Sequence, residues 1–181
     1  KTPAALQLLL NAMSVGETNS GQDLHRVADL IPDPDMKRRV QKHYADDMKH
    51  GKVFGARLLE VGGTITPLPK DLDYEEALHD LKFGLLRERL LDDRPLDDED
   101  LIKFFAGAKV TEATAITDLE MAKKGFEVDP ATERVLAEVL KDEYNHVAYA
   151  TEELERLAAR GHEARINALL REYAALENVA R

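Results

Sequence analysis

The sequence of 181 residues contains no cysteine and no tryptophan. Without cysteine the chain forms no disulfide, no thiolate zinc site, no iron–sulfur cluster and no rubredoxin-type iron centre. No apolar run approaches the roughly 18 residues of a membrane-spanning helix, and no signal-peptide pattern is visible. We therefore expect a cytoplasmic protein with no membrane partner.

Positive charge is also scarce, since 25 basic residues face 35 acidic ones and the formal net charge is −10. This balance argues against a nucleic-acid partner, because phosphate binding depends on a basic surface. Aromatic residues make up only 6% of the chain, whereas good helix formers such as Ala, Leu and Glu are abundant. The length suits one domain with a single core, and we treat residues 1–181 as that domain.

Apolar residues recur at helical spacing along most of the chain, and no segment has a clear strand pattern. Proline, glycine and aspartate clusters separate the periodic segments. The predicted helices cover residues 4–31, 34–61, 74–91, 97–125, 129–161 and 162–179. The sequence thus predicts an all-α protein, a four-helix bundle of two antiparallel hairpins. An extra helix lies in the long connection, and a further helix follows at the C-terminus.

Acids and histidines interrupt the apolar faces of the four long predicted helices. An isolated buried carboxylate costs several kcal/mol, and a group of them repels strongly. Two metal ions would remove both penalties. The candidate metal ligands are Glu17, Asp47, His50, Glu112, Glu143 and His146.

The spacing of these residues supports a shared site. Asp47 and His50, like Glu143 and His146, are three residues apart, so each pair lies on one helical face. Facing residues of an antiparallel hairpin are equidistant from its turn. The midpoint of Glu17 and Asp47 is residue 32, and the midpoint of Glu112 and Glu143 falls between residues 127 and 128. All four acids are therefore expected at one height in the bundle.

An acid also precedes the ligand in each motif: Asp46 in one and Asp142 in the other. A ligating histidine usually donates its second ring N–H to a carboxylate. We expect Asp46 and Asp142 to play this supporting role, each for a histidine of the opposite hairpin. His43, one turn before Asp47, is interpreted as a structural residue.

With these motifs the chain resembles the ferritin-like di-iron carboxylate superfamily. The short chain is similar to small di-iron oxygenases such as aldehyde-deformylating oxygenases and the tRNA-modifying hydroxylase. The resemblance implies two bound irons that reduce dioxygen. It is carried by Glu17, Asp46-Asp47-x-x-His50, Glu112 and Asp142-Glu143-x-x-His146.

Two features depart from the superfamily pattern. Asp47 stands where most relatives have Glu, and its shorter arm affects how the carboxylate would bridge two ions. The segment 14–21 is poor helix material, because Gly16 and Gly21 each cost about 1 kcal/mol relative to Ala. Small residues there leave room beside Glu17. In the alternative, the helix begins with Ser20 as its N-cap, which would leave Glu17 outside.

The leading functional hypothesis is a di-iron enzyme that activates dioxygen to oxidise or hydroxylate a small organic substrate, with electrons from an external donor. Manganese or a mixed iron–manganese pair suits the same donors. The alternative is an iron-handling protein: a ferroxidase, a storage protein or a peroxide-detoxifying protein. A third reading is a helical binding module that has lost its site. A monomer or dimer is expected rather than a shell.

Overall fold

The computed structural model describes residues 3–125 and 129–180. Within these ranges every regular element is helical and there is no strand. None of the described helices is both long enough and apolar enough to cross a membrane. The helices are α1 (Pro3–Leu30), α2 (Pro34–Glu60), α3 (Tyr74–Asp80), α4 (Arg87–Leu90), α5 (Asp98–Gly125), α6 (Pro130–Leu157) and α7 (Glu163–Ala180).

The first hairpin is formed by α1 and α2, which pack along their lengths. Asp33 caps α2 by accepting hydrogen bonds from the backbone N–H groups of Asp35 and Met36, and Pro34 occupies the first helical position. Helix α1 runs without a break through residues 14–21. The alternative in which it begins at Ser20 is therefore wrong, and Glu17 lies within the helix.

Packing against α2 stabilises this weak stretch of α1. Ser14 donates a hydrogen bond of 2.8 Å to the backbone carbonyl of Gly51 on α2, and Thr18 donates one of 2.7 Å to the carbonyl of Ser14. A Cβ atom built on Gly51 would lie 2.5 Å from Thr18 Oγ1. The two helices thus approach closely at Gly51, and tertiary contact outweighs low helix propensity.

The prediction of one helix over residues 74–91 is wrong. The chain leaves helical geometry between α3 and α4, where Lys82 and Gly84 have φ values of 59° and 70°. This turn buries Phe83 with its ring centroid 4.5 Å from that of Tyr173 on α7. Gly84 also approaches Gly107 on α5 closely. Burial of an aromatic ring therefore overrides the helical periodicity of the segment.

The second hairpin is formed by α5 and α6, and α6 packs against α2 of the first. Asp129 caps α6 through the N–H groups of Ala131 and Thr132. Arg57 of α2 donates hydrogen bonds of 2.8 Å to Thr132 and 2.7 Å to Asp129, which ties the hairpins together. The predicted turn at residues 127–128 lies outside the described residues.

Helix α6 ends at Leu157, four residues earlier than predicted, and a single π-helical turn, Ala158–His162, leads into α7. Gly161 in this turn has a φ of 101°, which a residue with a Cβ adopts only at a cost. Helix α7 then packs against α5 and α3. The C-terminal helix thus covers the second hairpin and the long connection.

Two apolar clusters divide the interior. On α2, Met36 and Val40 belong to one cluster, and Phe54 and Leu58 belong to the other. Helix α6 has the same arrangement in the opposite direction, because its N-terminal half contributes to the second cluster and its C-terminal half to the first. A layer of polar side chains separates the clusters and contains the candidate ligands, of which Glu17 and Glu112 are partly buried and the other four are buried.

Candidate metal centre

The polar layer brings all six candidate ligands together from α1, α2, α5 and α6. Asp47, His50, Glu143 and His146 are at most 3% exposed. The side chain of Glu17 is 19% exposed. Helical spacing explains the convergence, because each motif places its acid and its histidine on the inward face. The four acids thus lie at one level of the bundle, which is the arrangement predicted from the midpoints of the two hairpins.

Glu143 lies between the two histidines and contacts each with a different oxygen. Its Oε1 is 3.2 Å from His50 Nδ1, and its Oε2 is 2.9 Å from His146 Nδ1. Glu17 Oε2 is 3.3 Å from His50 Nδ1, and Glu112 Oε2 is 3.7 Å from His146 Nδ1. The geometry thus has two halves, one around each histidine, with Glu143 shared.

Asp47 occupies the other shared position. Its Oδ1 lies 4.0 Å from His146 Nδ1, and its Oδ2 accepts a hydrogen bond of 2.9 Å from Ser20. Atoms of Glu17, Asp47 and His50 lie within 4.8 Å of one another. The shorter aspartate arm therefore still reaches the centre, with its second oxygen fixed by a hydroxyl on α1.

The outer ring nitrogens point at carboxylates of the opposite hairpin. His50 Nε2 is 3.3 Å from Asp142 Oδ2, and His146 Nε2 is 3.3 Å from Asp46 Oδ2. When Nε2–H donates to the outer acid, Nδ1 carries a lone pair toward the interior. This is the orientation of a metal-ligating histidine. Both contacts join the partners expected from the sequence.

The clustered carboxylates of the centre repel one another, and this repulsion raises the pKa of the groups that can hold a proton there. Burial, reinforced by Asp47 and Glu143 and opposed by His50, raises the pKa of Glu17 to about 8. Burial lowers the pKa of His50, but Glu143 and Glu17 outweigh it and raise that pKa to about 11. The clustered carboxylates therefore favour the binding of positive charge, whether protons or metal ions, between them.

The same balance holds on the other side of the centre. Burial is outweighed by Glu112 and Glu143, which raise the pKa of His146 to about 9. The pKa of Glu112 is lowered, because His43 and His146 outweigh the effect of burial.

Two buried atoms in the centre show that its polar groups are not satisfied by one another. Among the described residues, His43 Nε2 and Glu143 Oε1 are the buried side-chain atoms without a hydrogen-bond partner. In the metal-free protein, protons on the inner nitrogens of His50 and His146 balance the facing carboxylates, in keeping with the raised pKa values of both rings. A cation bound among these atoms would satisfy them all, so the donor set fits a metal pair.

His43 is the residue that the sequence interpretation undervalued. Its Nε2 lies 3.0 Å from Glu112 Oε1 and 3.3 Å from Asp47 Oδ1. His43, Glu112 and His146 form a second group whose ligand atoms lie within 4.8 Å of one another. Its position one helical turn before Asp47, on the same inward face, was the available signal.

A cavity of about 650 Å³ adjoins the centre between α1, α3 and α5. Glu17, Asp47 and Glu112 line its inner end, and its wall is mainly apolar, with Met13 and Ala115 among the contributors. No Lys, Arg or His side chain of the described part of the chain lines it. The volume is typical of small-molecule sites.

The long connection supplies two further acids to this cavity, Asp73 and Glu75. Burial, together with the charge of Asp23 and against that of Arg87, raises the pKa of Glu75 to about 8. The carboxylate of Glu75 lies 3.3 Å from Arg87.

In comparisons with known proteins, no family model, curated protein or solved structure gives a significant match to the chain.

Proposed function

We propose that this protein is a non-haem di-iron oxidoreductase with a ferritin-like four-helix bundle. The observation that carries the proposal is the convergence of four carboxylates and two histidines between two apolar clusters, with each outer ring nitrogen on a carboxylate. Such a layer is costly without cations and is explained by two of them.

The residues divide between the two ions by proximity. Glu17 and His50 would hold one ion, and Glu112 and His146 the other, with Asp47 and Glu143 between them. When bound, a pair of irons supplies the capacity to reduce dioxygen. The chain fixes the ligands, orients the imidazoles through Asp46 and Asp142, and limits water by burial.

The cavity beside the centre supports oxidation of an organic substrate. Its mainly apolar wall suits an apolar molecule, and its inner end adjoins Glu17, Asp47 and Glu112. Because acids but no basic side chains line its described part, a free carboxylate is a poor occupant. The proposed substrate is therefore small, apolar and neutral or cationic. Reducing equivalents come from an external donor.

The test begins with anaerobic loading of metal-free protein with Fe(II), followed by exposure to dioxygen. We expect two irons per chain, dioxygen consumption that depends on them, and oxidation of members of a panel of apolar amines, alcohols and aldehydes. The variant Ala115→Phe fills the cavity, so it should keep both irons and lose substrate oxidation. Protein that binds no iron, or binds it without consuming dioxygen, refutes the proposal.

Iron handling is the second candidate, and the acid lining of the cavity favours it. Asp73 and Asp118 join Glu17 along the wall, which would attract Fe(II) as a substrate. Light scattering separates the candidates, because a monomer or dimer cannot enclose an iron core. Iron oxidation unaffected by Ala115→Phe, in an assembly of many chains, would favour this alternative.

A further inference from the structure

His43 projects from α2 into the centre and is 2% exposed. Its Nε2 faces two carboxylate oxygens, Glu112 Oε1 at 3.0 Å and Asp47 Oδ1 at 3.3 Å, and neither contact has the geometry of a hydrogen bond. The imidazole ring is stacked near that of His146, with ring centroids 3.8 Å apart. An unpaired buried nitrogen in this position requires a partner.

The second ring nitrogen of His43 also has an oxygen partner, which is a tyrosine hydroxyl instead of the carboxylates that face His50 and His146. Nδ1 lies 2.7 Å from the hydroxyl oxygen of Tyr149, one turn after His146 on α6. The Tyr149 ring meets Phe105 edge-on at 6.1 Å, which fixes the hydroxyl. When Nδ1–H donates to Tyr149, the lone pair of Nε2 points into the centre.

The spacing of the three side chains matches that of ligands on one ion. In an octahedral shell with bonds of about 2.1 Å, neighbouring ligand atoms lie about 3 Å apart. The 3.0 Å separation of His43 Nε2 and Glu112 Oε1 has this value, and His146 completes the group within 4.8 Å. We infer that His43 is a third imidazole ligand, on the ion held by Glu112 and His146.

This inference rests on the proposed di-iron function and makes the two sites unequal. One ion would have two imidazole ligands, and the ion beside Glu17 and His50 would have one. Nitrogen-rich sites favour the later first-row metals, whereas oxygen-rich sites also suit manganese. The site with His43 should therefore fill first when Co(II) is added to metal-free protein.

The experiment counts ligating imidazoles directly. In Co(II)-loaded protein, the ring N–H proton of each ligating histidine gives an exchangeable, paramagnetically shifted proton resonance. We expect three such resonances in the unaltered protein and two in His43→Ala. Co(II) titration followed by visible absorbance should show two ions bound per chain. In His43→Ala, the affinity for one of these ions should fall at least about tenfold. His25→Ala, at an exposed position on α1, should behave like the unaltered protein.

Two resonances in the unaltered protein, together with unchanged Co(II) affinity in His43→Ala, would overturn the assignment and leave the di-metal proposal standing. Absence of Co(II) binding in the unaltered protein would remove the proposed function itself. If His43→Ala does not fold, as judged by circular dichroism, the count in the unaltered protein still decides.

Discussion

Asp46 and Asp142 are the side chains whose roles are easiest to separate from metal ligation. Each faces the outer nitrogen of a histidine at 3.3 Å, and each also contacts a lysine of α2, Lys42 for Asp46 and Lys49 for Asp142. Asp46→Asn keeps the shape but removes the charge that favours the correct imidazole orientation. We expect it to lower the affinity for the ion next to His146 by about 10- to 100-fold. Calorimetric titration with the metal ion measures this affinity.

A matched pair of variants gives the control for this prediction. Asp142→Asn should instead lower the affinity for the ion next to His50, because Asp142 faces that histidine. Asp80→Asn, on the exposed end of α3, should change neither affinity. Equal affinities in Asp46→Asn and the unaltered protein would show that the outer carboxylates are not part of the metal-binding apparatus.

The raised pKa values of His50, His146 and Glu17 predict how the stability of the metal-free protein depends on pH. A histidine whose pKa is raised by folding contributes stability that is complete below its unfolded pKa of 6.5 and is lost as pH rises to the folded value. That window ends at about 11 for His50 and about 9 for His146. Glu17, with its pKa raised from 4.5 to about 8, adds a loss over that interval.

All three contributions decrease stability between pH 6.5 and pH 8, and those of the two histidines continue to about pH 9. Scanning calorimetry should therefore show that the melting temperature of the metal-free protein falls over this range. Metal ions displace the protons concerned, so the loaded protein should show a smaller decline. A melting temperature that rises with pH in the metal-free protein contradicts the charge arrangement described for the centre.

At the scale of helices, the close approach of α1 and α2 determines where Glu17 sits. A Cβ on Gly51 would lie 2.5 Å from Thr18 Oγ1 and 3.1 Å from the backbone oxygen of Ser14. Gly51→Ala should therefore separate the helices, cost about 1–3 kcal/mol of unfolding free energy, and weaken metal binding through Glu17. Urea denaturation and metal titration measure the two effects.

Gly16 provides the contrasting substitution on the same stretch of α1. A Cβ there has no atom within 4 Å outside its own helix backbone, so Gly16→Ala should stabilise the protein by about 0.4–1 kcal/mol. The metal affinity should stay unchanged. If Gly51→Ala is as stable as Gly16→Ala, close packing at Gly51 does not hold α1 in place.

Helix boundaries were predicted well where local chemistry determines them and poorly where packing does. The starts predicted at residues 34 and 129 lie within one residue of the observed starts of α2 and α6, because aspartate followed by proline, as at Asp33 and Asp129, is a local start signal. The break between α3 and α4 was missed, since the burial of Phe83 against Tyr173 depends on a helix nearly a hundred residues away. The helical position of His43 places it on the inward face of α2, but its contact with Glu112 depends on the distant helix α5 and could not be predicted locally.

For the whole molecule, the position of the polar layer predicts what metal removal does. Apolar clusters lie on both sides of the layer, so the metal-free protein should stay helical. Each ion that binds only the folded state should add about 2.7 kcal/mol at a free concentration 100 times its Kd. Urea unfolding with and without a chelator tests this, and identical midpoints would show that no ion binds the folded state selectively.

The pairing of each histidine with an acid of the other hairpin also has a consequence for biosynthesis. His50 precedes Asp142 by 92 residues, and Asp46 precedes His146 by 100. A ribosome that has completed the first hairpin has therefore produced only three of the six ligands predicted from the sequence and neither of the complete histidine–aspartate pairs. Iron offered to the growing chain would meet an incomplete set of ligands. Productive loading should wait until residue 146 has left the exit tunnel and the hairpins have met.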